Sequence, residues 1–317
     1  MVTVIIPNFN HAKYLPKRID SVLGQTYQNI EVIILDDCST DNSRDVIEHY
    51  RSEEKVKKII FNERNTGNTF LQWDKGIEAA SGDYVWIAES DDVAEPEFVS
   101  TMIDELEHHP NAVLAYSYSK VIDQDDVVLY NDASLSQSDQ RVKLHRGVEY
   151  MRRYMLRDNC IYNASMVVFR RPIFGQINPC YKRHRYCGDW FFWAFACTLG
   201  DVIEVRVPLS QFRQHANKVT VKAQRSAAAM QDASTMMQQL VEILHLRKYY
   251  RSAMRVIWTR RMKGLQQSEQ KEAIIASCPV LYRTRWYDYI LYKYAKNFGF
   301  LKYRVHNVMN IFNVPNP

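Results

Sequence analysis

No apolar run of about eighteen residues, the length a helix needs to cross a bilayer, occurs in this chain. The longest candidate, Trp190 to Leu199, reaches roughly half of that length. A basic leader with a small-residue cleavage site is also missing, since Val2-Thr3-Val4-Ile5-Ile6 enters a strand at once. The expected compartment is therefore the cytoplasm. Six cysteines, Cys38, Cys160, Cys180, Cys187, Cys197 and Cys278, form no CxxC pair and no zinc-type spacing, which predicts reduced, unligated thiols. There is no internal repeat and no low-complexity tract. With 46% hydrophobic and 24% charged residues among 317, the disordered and fibrous classes are excluded.

The net charge of +5 hides an asymmetry. From Lys222 onward there are 16 Lys and Arg against 5 Asp and Glu, a net +11, whereas the first 221 residues carry 25 against 31, a net −6. The basic tail is interleaved with aromatics, as in Arg247-Lys248-Tyr249-Tyr250-Arg251 and Tyr282-Arg283-Thr284-Arg285-Trp286-Tyr287. That mixture suits an anionic membrane surface, with cations near the lipid and rings at headgroup level. Arg247, Lys248, Arg251, Arg255, Arg260 and Arg261 are expected to face outward from a helical extension. Nucleic acid is not expected as a partner, because the body is acidic and carries no nucleic-acid motif.

The first third alternates strands with helical stretches of about ten to fifteen residues, which implies βαβ units and a mainly parallel, Rossmann-like sheet flanked by helices. Strands are predicted at Thr3 to Pro7, Glu31 to Leu35, Val56 to Phe61, Tyr84 to Ala88 and Ala112 to Tyr118, with helices near residues 15–23, 43–50, 70–80 and 96–109. A hairpin turn follows at Asp123 to Asp126, then a polar loop from Asn131 to Gln140. Further on come a helix near residues 148–156, a strand at Ser165 to Arg170, a helix at Trp190 to Leu199, a strand at Val202 to Val207 and a segment Leu209 to His215. The reading gives an α/β domain over residues 1–221. Residues 222–317 read as a basic, Tyr-rich helical extension.

Two acidic clusters stand just past buried-type apolar runs. Val32-Ile33-Ile34-Leu35 leads into Asp36-Asp37-Cys38-Ser39-Thr40-Asp41, and Tyr84-Val85-Trp86-Ile87-Ala88 leads into Glu89-Ser90-Asp91-Asp92. Ligands bind at the carboxyl ends of strands in open α/β sheets. Acids this crowded repel unless a cation or hydrogen-bond donors neutralise them, and Mg²⁺ or Mn²⁺ shared with substrate phosphate does so. The plainer alternative is that Asp91 or Asp92 caps the helix near residues 96–109.

The strings Val2-Thr3-Val4-Ile5-Ile6-Pro7-Asn8-Phe9-Asn10, Ser21-Val22-Leu23-Gly24-Gln25-Thr26, Asp36 to Asp41 and Glu89 to Asp92, in this order, resemble family 2 glycosyltransferases with the GT-A fold. The resemblance covers about residues 1–221 and implies a nucleotide-binding half to about residue 118 and an acceptor half at about residues 119–221. It implies an inverting, metal-dependent enzyme that takes a sugar from a UDP- or dTDP-type donor to a lipid-linked glycan acceptor in cell-surface polysaccharide synthesis. It places the donor base and ribose over Pro7, Phe9 and Asp37. Asp91 and Asp92 become the DXD-type element, with Asp92 as metal ligand and Asp91 on the ribose or diphosphate side and a second ligand, for Mn²⁺ or Mg²⁺. Asp189, in Gly188-Asp189-Trp190-Phe191, matches the catalytic-base position, the alternative being an N-cap. Phe212-Arg213-Gln214-His215 resembles the late Arg-x-His segment, which makes His215 a metal ligand and Arg213 and Lys218 diphosphate contacts.

Two departures stand out. Gln72-Trp73 occupies the place of an Arg-Asn pair found in many relatives, and Glu89 begins the DXD element. Asn163-Ala164-Ser165 and Arg170-Arg171 are candidates for the acceptor side, the arginine pair being equally a helix-start surface pair. A nucleotidyltransferase and a non-catalytic nucleotide- or sugar-binding module are the alternatives. The first calls for a Gly- and Arg-rich loop where Asn8-Phe9-Asn10-His11 stands, and the second has no need of Asp189.

Overall fold

In the computed structural model, residues 1–131, 140–215 and 227–246 are described. The predicted exposed cations of the tail, Cys278, Lys218 and most of the polar loop before Gln140 lie outside these residues. The chain divides into the units Met1–Val221 and Lys222–Pro317.

In the first unit, β1 (Val2–Asn8), β2 (Ile30–Asp36) and β4 (Tyr84–Ile87) are buried along their whole length, so their apolar runs are continuous instead of alternating. With β3 (Val56–Phe61) they form a parallel set in the order β3-β2-β1-β4. One face of β1, through Val2, Val4 and Ile6, packs with Leu15, Ile19 and Val22 of α1 (Leu15–Leu23). Phe98, Met102 and Leu106 of α4 (Phe98–His108) join the same core. The other face meets α3 (Thr69–Ala79), where Gly76 is required: a Cβ there would lie 2.4 Å from Ile5 Cγ2. The short α2 (Ser43–His49) follows β2.

Beyond β4 the sheet becomes mixed. The short β5 (Val93–Ala94) precedes α4, and β6 (Ala112–Ile122), β7 (Val128–Asn131), β8 (Val142–His145), β9 (Val167–Arg170) and β10 (Asp201–Arg213) follow. The order continues β4-β9-β6-β10-β5, with β9 antiparallel to both β4 and β6 while β10 runs parallel to β6. Parallel pairing is thus concentrated in the first half. The predicted strand from Val202 and the segment from Leu209 are one thirteen-residue strand, bent by register shifts around Pro208. The predicted helix near residues 148–156 is a single α-turn, α5 (Gly147–Tyr150), that widens into a π-helical stretch, Met151–Met155. Next along the chain, α6 (Gly188–Ala196) carries the aromatic run.

In the second unit, α7 (Ala227–Ile243) buries Ala229, Ala233, Met236, Met237 and Leu240, spaced three and four residues apart on one helix face. No described helix is long and apolar enough to cross a membrane.

Candidate active site

The chain runs outward from β1 through β2 to β3 and then returns to β4 on the other side of β1, so β1 and β4 flank the switch point of the sheet. Both acidic clusters leave strands at this carboxyl edge. The loops there are pinned to one another by side chains. Asn10, in the left-handed region at φ 56°, accepts from the Thr40 backbone N–H at 2.7 Å. Asn8 Nδ2 donates to Asp36 Oδ1 at 2.8 Å, and Asp36 in turn accepts from the backbone and hydroxyl of Ser39 at 2.9 and 2.6 Å.

Asp37 is held by neutral donors alone among its identified partners. Its Oδ1 accepts from Asn62 Nδ2 at 2.7 Å, the Thr66 N–H at 3.0 Å and Gln72 Nε2 at 3.0 Å. Its Oδ2 accepts from Thr66 Oγ1 at 2.8 Å. Gln72, at the departure from the relatives' Arg-Asn pair, therefore braces Asp37, and its own buried Oε1 has no hydrogen-bond partner among the described residues. Next to this cage Phe9 is 44% exposed, an aromatic ring that the core does not use, while Pro7 is buried in β1.

The second cluster is neutralised differently. Arg18 on α1 is fully buried beneath it, donating from Nε to the Glu89 carbonyl at 2.8 Å and from Nη2 to Ser165 Oγ at 3.1 Å, with Asp92 Oδ2 at 3.9 Å. Burial pushes the guanidinium down to about 10 against the opposing pull of Asp92, Asp91 and Glu89. Asp92 accepts from Asn163 Nδ2 at 2.6 Å and from the Arg213 N–H at 2.9 Å. Glu89 turns its carboxylate to the indole of Trp73, 3.0 Å from Nε1. Arg213 is sealed in as well: it donates to the Asp91 and Asp123 carbonyls at 2.6 and 2.9 Å and pairs with Asp126 at 2.6 Å. The sequence places Arg213 on a diphosphate, whereas these contacts clamp the acidic turn to the Asp123–Asp126 turn. Neither Asp91 nor Asp92 caps α4, whose N-cap is Glu97.

Asp91 stands apart from Asp92. His215 Nε2 lies 3.1 Å from Asp91 Oδ2, and His11 joins them so that one ligand atom from each of the three falls within 4.8 Å of the others. One carboxylate oxygen and two imidazole nitrogens suit Mn²⁺ better than Mg²⁺, which prefers oxygen throughout. The three therefore fit a divalent ion, with Asp92 outside the set. His11 has no counterpart in the sequence motifs, since a lone histidine after a strand gives no local sign of its partners. Its Nδ1 also meets Ser90 Oγ at 2.8 Å.

Asp189 sits in the first turn of α6, one residue past Gly188, and the N-cap is Cys187. The capping alternative is thereby set aside. Gly188 is required, because a Cβ would lie 2.3 Å from the ring of Phe70 and 2.4 Å from the Tyr181 carbonyl. Asn159 Nδ2 donates to Asp189 Oδ2 at 2.9 Å. The α3 end of the Asp37 cage is tied to the chain before α6, since Asn68 Nδ2 donates to the Lys182 carbonyl at 2.8 Å and Lys182 Nζ to Asp74 at 2.6 Å. Asn163 and Ser165 support the acidic turn. Arg170 and Arg171 correct an expectation: they bond the Ala112 and Gly82 carbonyls near the start of β4 and β6, the opposite end of the sheet from the site.

Comparison with known proteins accords with this geometry. An uncharacterized glycosyltransferase of Nostoc sp. is 29% identical over 243 residues, covering 74% of this chain and 70% of that protein. The putative teichuronic acid biosynthesis glycosyltransferase TuaG of Bacillus subtilis is 37% identical over 92 residues, 29% of this chain and only 36% of that protein. The crystal structure of S. aureus TarS 1–349 in complex with UDP-GlcNAc matches with a TM-score of 0.65 at 16% identity, over 98% of this chain and 88% of that one. The pattern of Glycosyl transferase family 2 matches residues 3–177, more than half of the chain. The chain belongs to glycosyl transferase family 2 and has its GT-A fold.

Proposed function

We propose that this family 2 enzyme is an inverting glycosyltransferase that moves a sugar from a UDP- or dTDP-linked donor to a hydroxyl of a lipid-linked glycan acceptor, in the synthesis of a cell-surface polysaccharide. The observation that carries this reading is the convergence of His11, Asp91 and His215 beside the caged Asp37 at the switch point of the sheet. The names of TuaG and of the TarS complex support a cell-surface product and a uridine donor.

In this reading Phe9 offers its exposed ring to the donor base, next to the Pro7 end of β1, and Asp37 sets the polar edge of the base site. His11, Asp91 and His215 hold Mn²⁺ or Mg²⁺, which when bound stabilises the negative charge of the leaving diphosphate. Asp92, Arg18 and Arg213 fix the turn that carries Asp91, and Lys218 is a further diphosphate contact. Asp189 takes the proton of the attacking hydroxyl. Its place in the first turn of α6 favours the ionised carboxylate, and the Asn159 bond orients it. Direct attack of that hydroxyl on the anomeric carbon, with loss of the diphosphate from the other face, inverts the centre. Residues 1 to about 118 bind the nucleotide, residues 119–221 receive the acceptor, and the basic extension from residue 222 meets an anionic membrane surface.

A screen of nucleotide sugars for hydrolysis and binding, with Mn²⁺ and with chelator, tests the reading. The expected result is metal-dependent hydrolysis confined to uridine or thymidine donors. Turnover that survives chelation, or no preference among nucleotides, would overturn it.

A further inference from the structure

The stretch between the polar loop and the candidate base has a charge balance unlike the rest of its unit. Residues 141–187 hold 11 Lys and Arg against 2 Asp and Glu, within a unit whose net charge is −6. Some of these cations are used internally: Arg170 and Arg171 bond backbone carbonyls and Lys182 pairs with Asp74. Arg153 and Arg157 are not. Neither side chain makes a hydrogen bond or ion pair among the described residues, and Arg157 is partly buried. Among the described residues, the charged or titratable groups that act on Arg157 are Arg153 and Tyr154, with no carboxylate among them. Burial and the Arg153 charge together hold Arg157 below the ordinary arginine value. Two arginines that repel each other, one half out of water, are a standing cost unless an anion sits between them.

Their place in the fold gives that anion a role. Arg153 lies in the π-helical stretch that packs on α6, and Trp190 of α6 donates from Nε1 to the Met155 carbonyl at 2.6 Å. Arg157 lies in the turn that follows, its N–H on the Tyr154 carbonyl at 2.9 Å. Two residues later Asn159 bonds Asp189. The same short segment thus presents two unpaired cations and orients the candidate base.

We propose that Arg153 and Arg157 form an anion site for the acceptor, and that the acceptor carries a phosphate group close to its accepting hydroxyl. The inference rests on the acceptor-side assignment of Asp189 made above. Phosphate fits because a guanidinium pair can bind its oxygens by several charge-assisted hydrogen bonds. Such a phosphate has two sources: the diphosphate of a lipid carrier, or the backbone of a polyol-phosphate polymer.

The test uses the full chain and its Arg153→Gln/Arg157→Gln variant, with Arg153→Lys/Arg157→Lys as the charge-keeping control. Binding is measured to farnesyl diphosphate in phosphatidylcholine vesicles, to a soluble glycerol-phosphate oligomer, to a neutral oligosaccharide, and to phosphatidylglycerol vesicles without the diphosphate. The expected result is that one of the two phosphate probes binds and that the Gln variant binds it at least about 10-fold more weakly, with partial retention in the Lys variant. Which probe binds identifies the source. Donor hydrolysis without acceptor should be equal in all three proteins, which also shows that the variants are folded. Equal binding of neutral and phosphorylated probes, an unaffected Gln variant, or binding to phosphatidylglycerol alone would overturn the proposal. Loss of donor hydrolysis from the wild type would instead count against the glycosyltransferase reading itself.

Discussion

The two acidic clusters of this enzyme leave neighbouring parts of one sheet edge, yet they are made tolerable in opposite ways. Asp36 and Asp37 are satisfied by amides, hydroxyls and backbone N–H groups from Asn8, Ser39, Asn62, Thr66 and Gln72. Glu89, Asp91 and Asp92 lie over a buried arginine and against two histidines. Neutral donors fix a shape without changing the charge of the acid they hold. Buried cations and imidazoles adjust the local charge, and imidazoles are also metal ligands. In the function proposed above, the first cluster presents a fixed polar edge and the second accepts a cation and an anion together.

The largest expected effect breaks that contrast from the second side. Asp91→Asn should lower turnover by about 10³-fold or more and abolish the gain in UDP affinity on adding Mn²⁺, since one of three ligand-type groups is lost. Asp92→Asn should cost a similar factor in turnover, and in addition should lower the unfolding midpoint, because Arg18 keeps its buried charge with less to oppose it. Calorimetry of UDP binding with and without Mn²⁺, beside thermal unfolding, separates the two acids. Metal-independent UDP affinity in the wild type would end the distinction.

The same contrast explains what the sequence made legible. Continuous apolar runs announce β1, β2 and β4, and the acids after them announce the edge where the site lies. The hairpin turn at Asp123 to Asp126 announces β7, whereas β5 and β8 leave no signal, since two to four residues carry no periodicity. Arg18 was invisible for a different reason. In Pro16-Lys17-Arg18-Ile19-Asp20 it reads as a solvated residue of an amphipathic helix, and only tertiary contacts with Glu89, Asp92 and Ser165 bury it. His11 needed Asp91 and His215, about eighty and two hundred residues away in sequence, before it meant anything. Arg213 was assigned by motif to a diphosphate, but the carbonyl groups that occupy it leave no trace in a sequence.

Next in size is the proposed base. Asp189→Asn should lower kcat by about 10²-fold or more while leaving donor affinity intact, as loss of a general base does. Asn159→Ala, which removes only the bond that orients Asp189, should cost less. Steady-state kinetics with donor and acceptor varied separately checks this. A matching rise in the donor Kd of Asp189→Asn would move Asp189 to the donor side.

From the first cluster a smaller change is expected, and of a different kind. Asp37→Asn should weaken nucleotide binding by about 10-fold through loss of a charged acceptor, with the response to Mn²⁺ unchanged. Gln72→Ala should follow in the same direction by less, because Asn62 and Thr66 remain. If Asp37→Asn altered the Mn²⁺ response as Asp91→Asn does, the two clusters would be one electrostatic unit and the comparison would fail.

The smallest effect comes from an acid that combines both arrangements. Glu204 on β10 is partly buried, and burial raises its pKa, but hydrogen bonds from His145 at 2.9 Å, Arg206 at 3.2 Å and Tyr118 at 2.9 Å outweigh that and hold it at about 2. The folded value is depressed, so the unfolded chain takes up the proton first as pH falls. The stabilisation is present in full above the unfolded pKa of about 4.5 and is lost progressively from there toward pH 2. At pH 4 the loss amounts to about 1 kcal/mol. Urea unfolding of wild type and Glu204→Gln at pH 6, 5 and 4 isolates this contribution, since the other carboxylates titrate in both proteins. The wild type should lose about 1 kcal/mol more than the variant between pH 6 and 4. Parallel slopes would mean that the neutral and charged donors around Glu204 leave its ionisation where it stands in the unfolded chain.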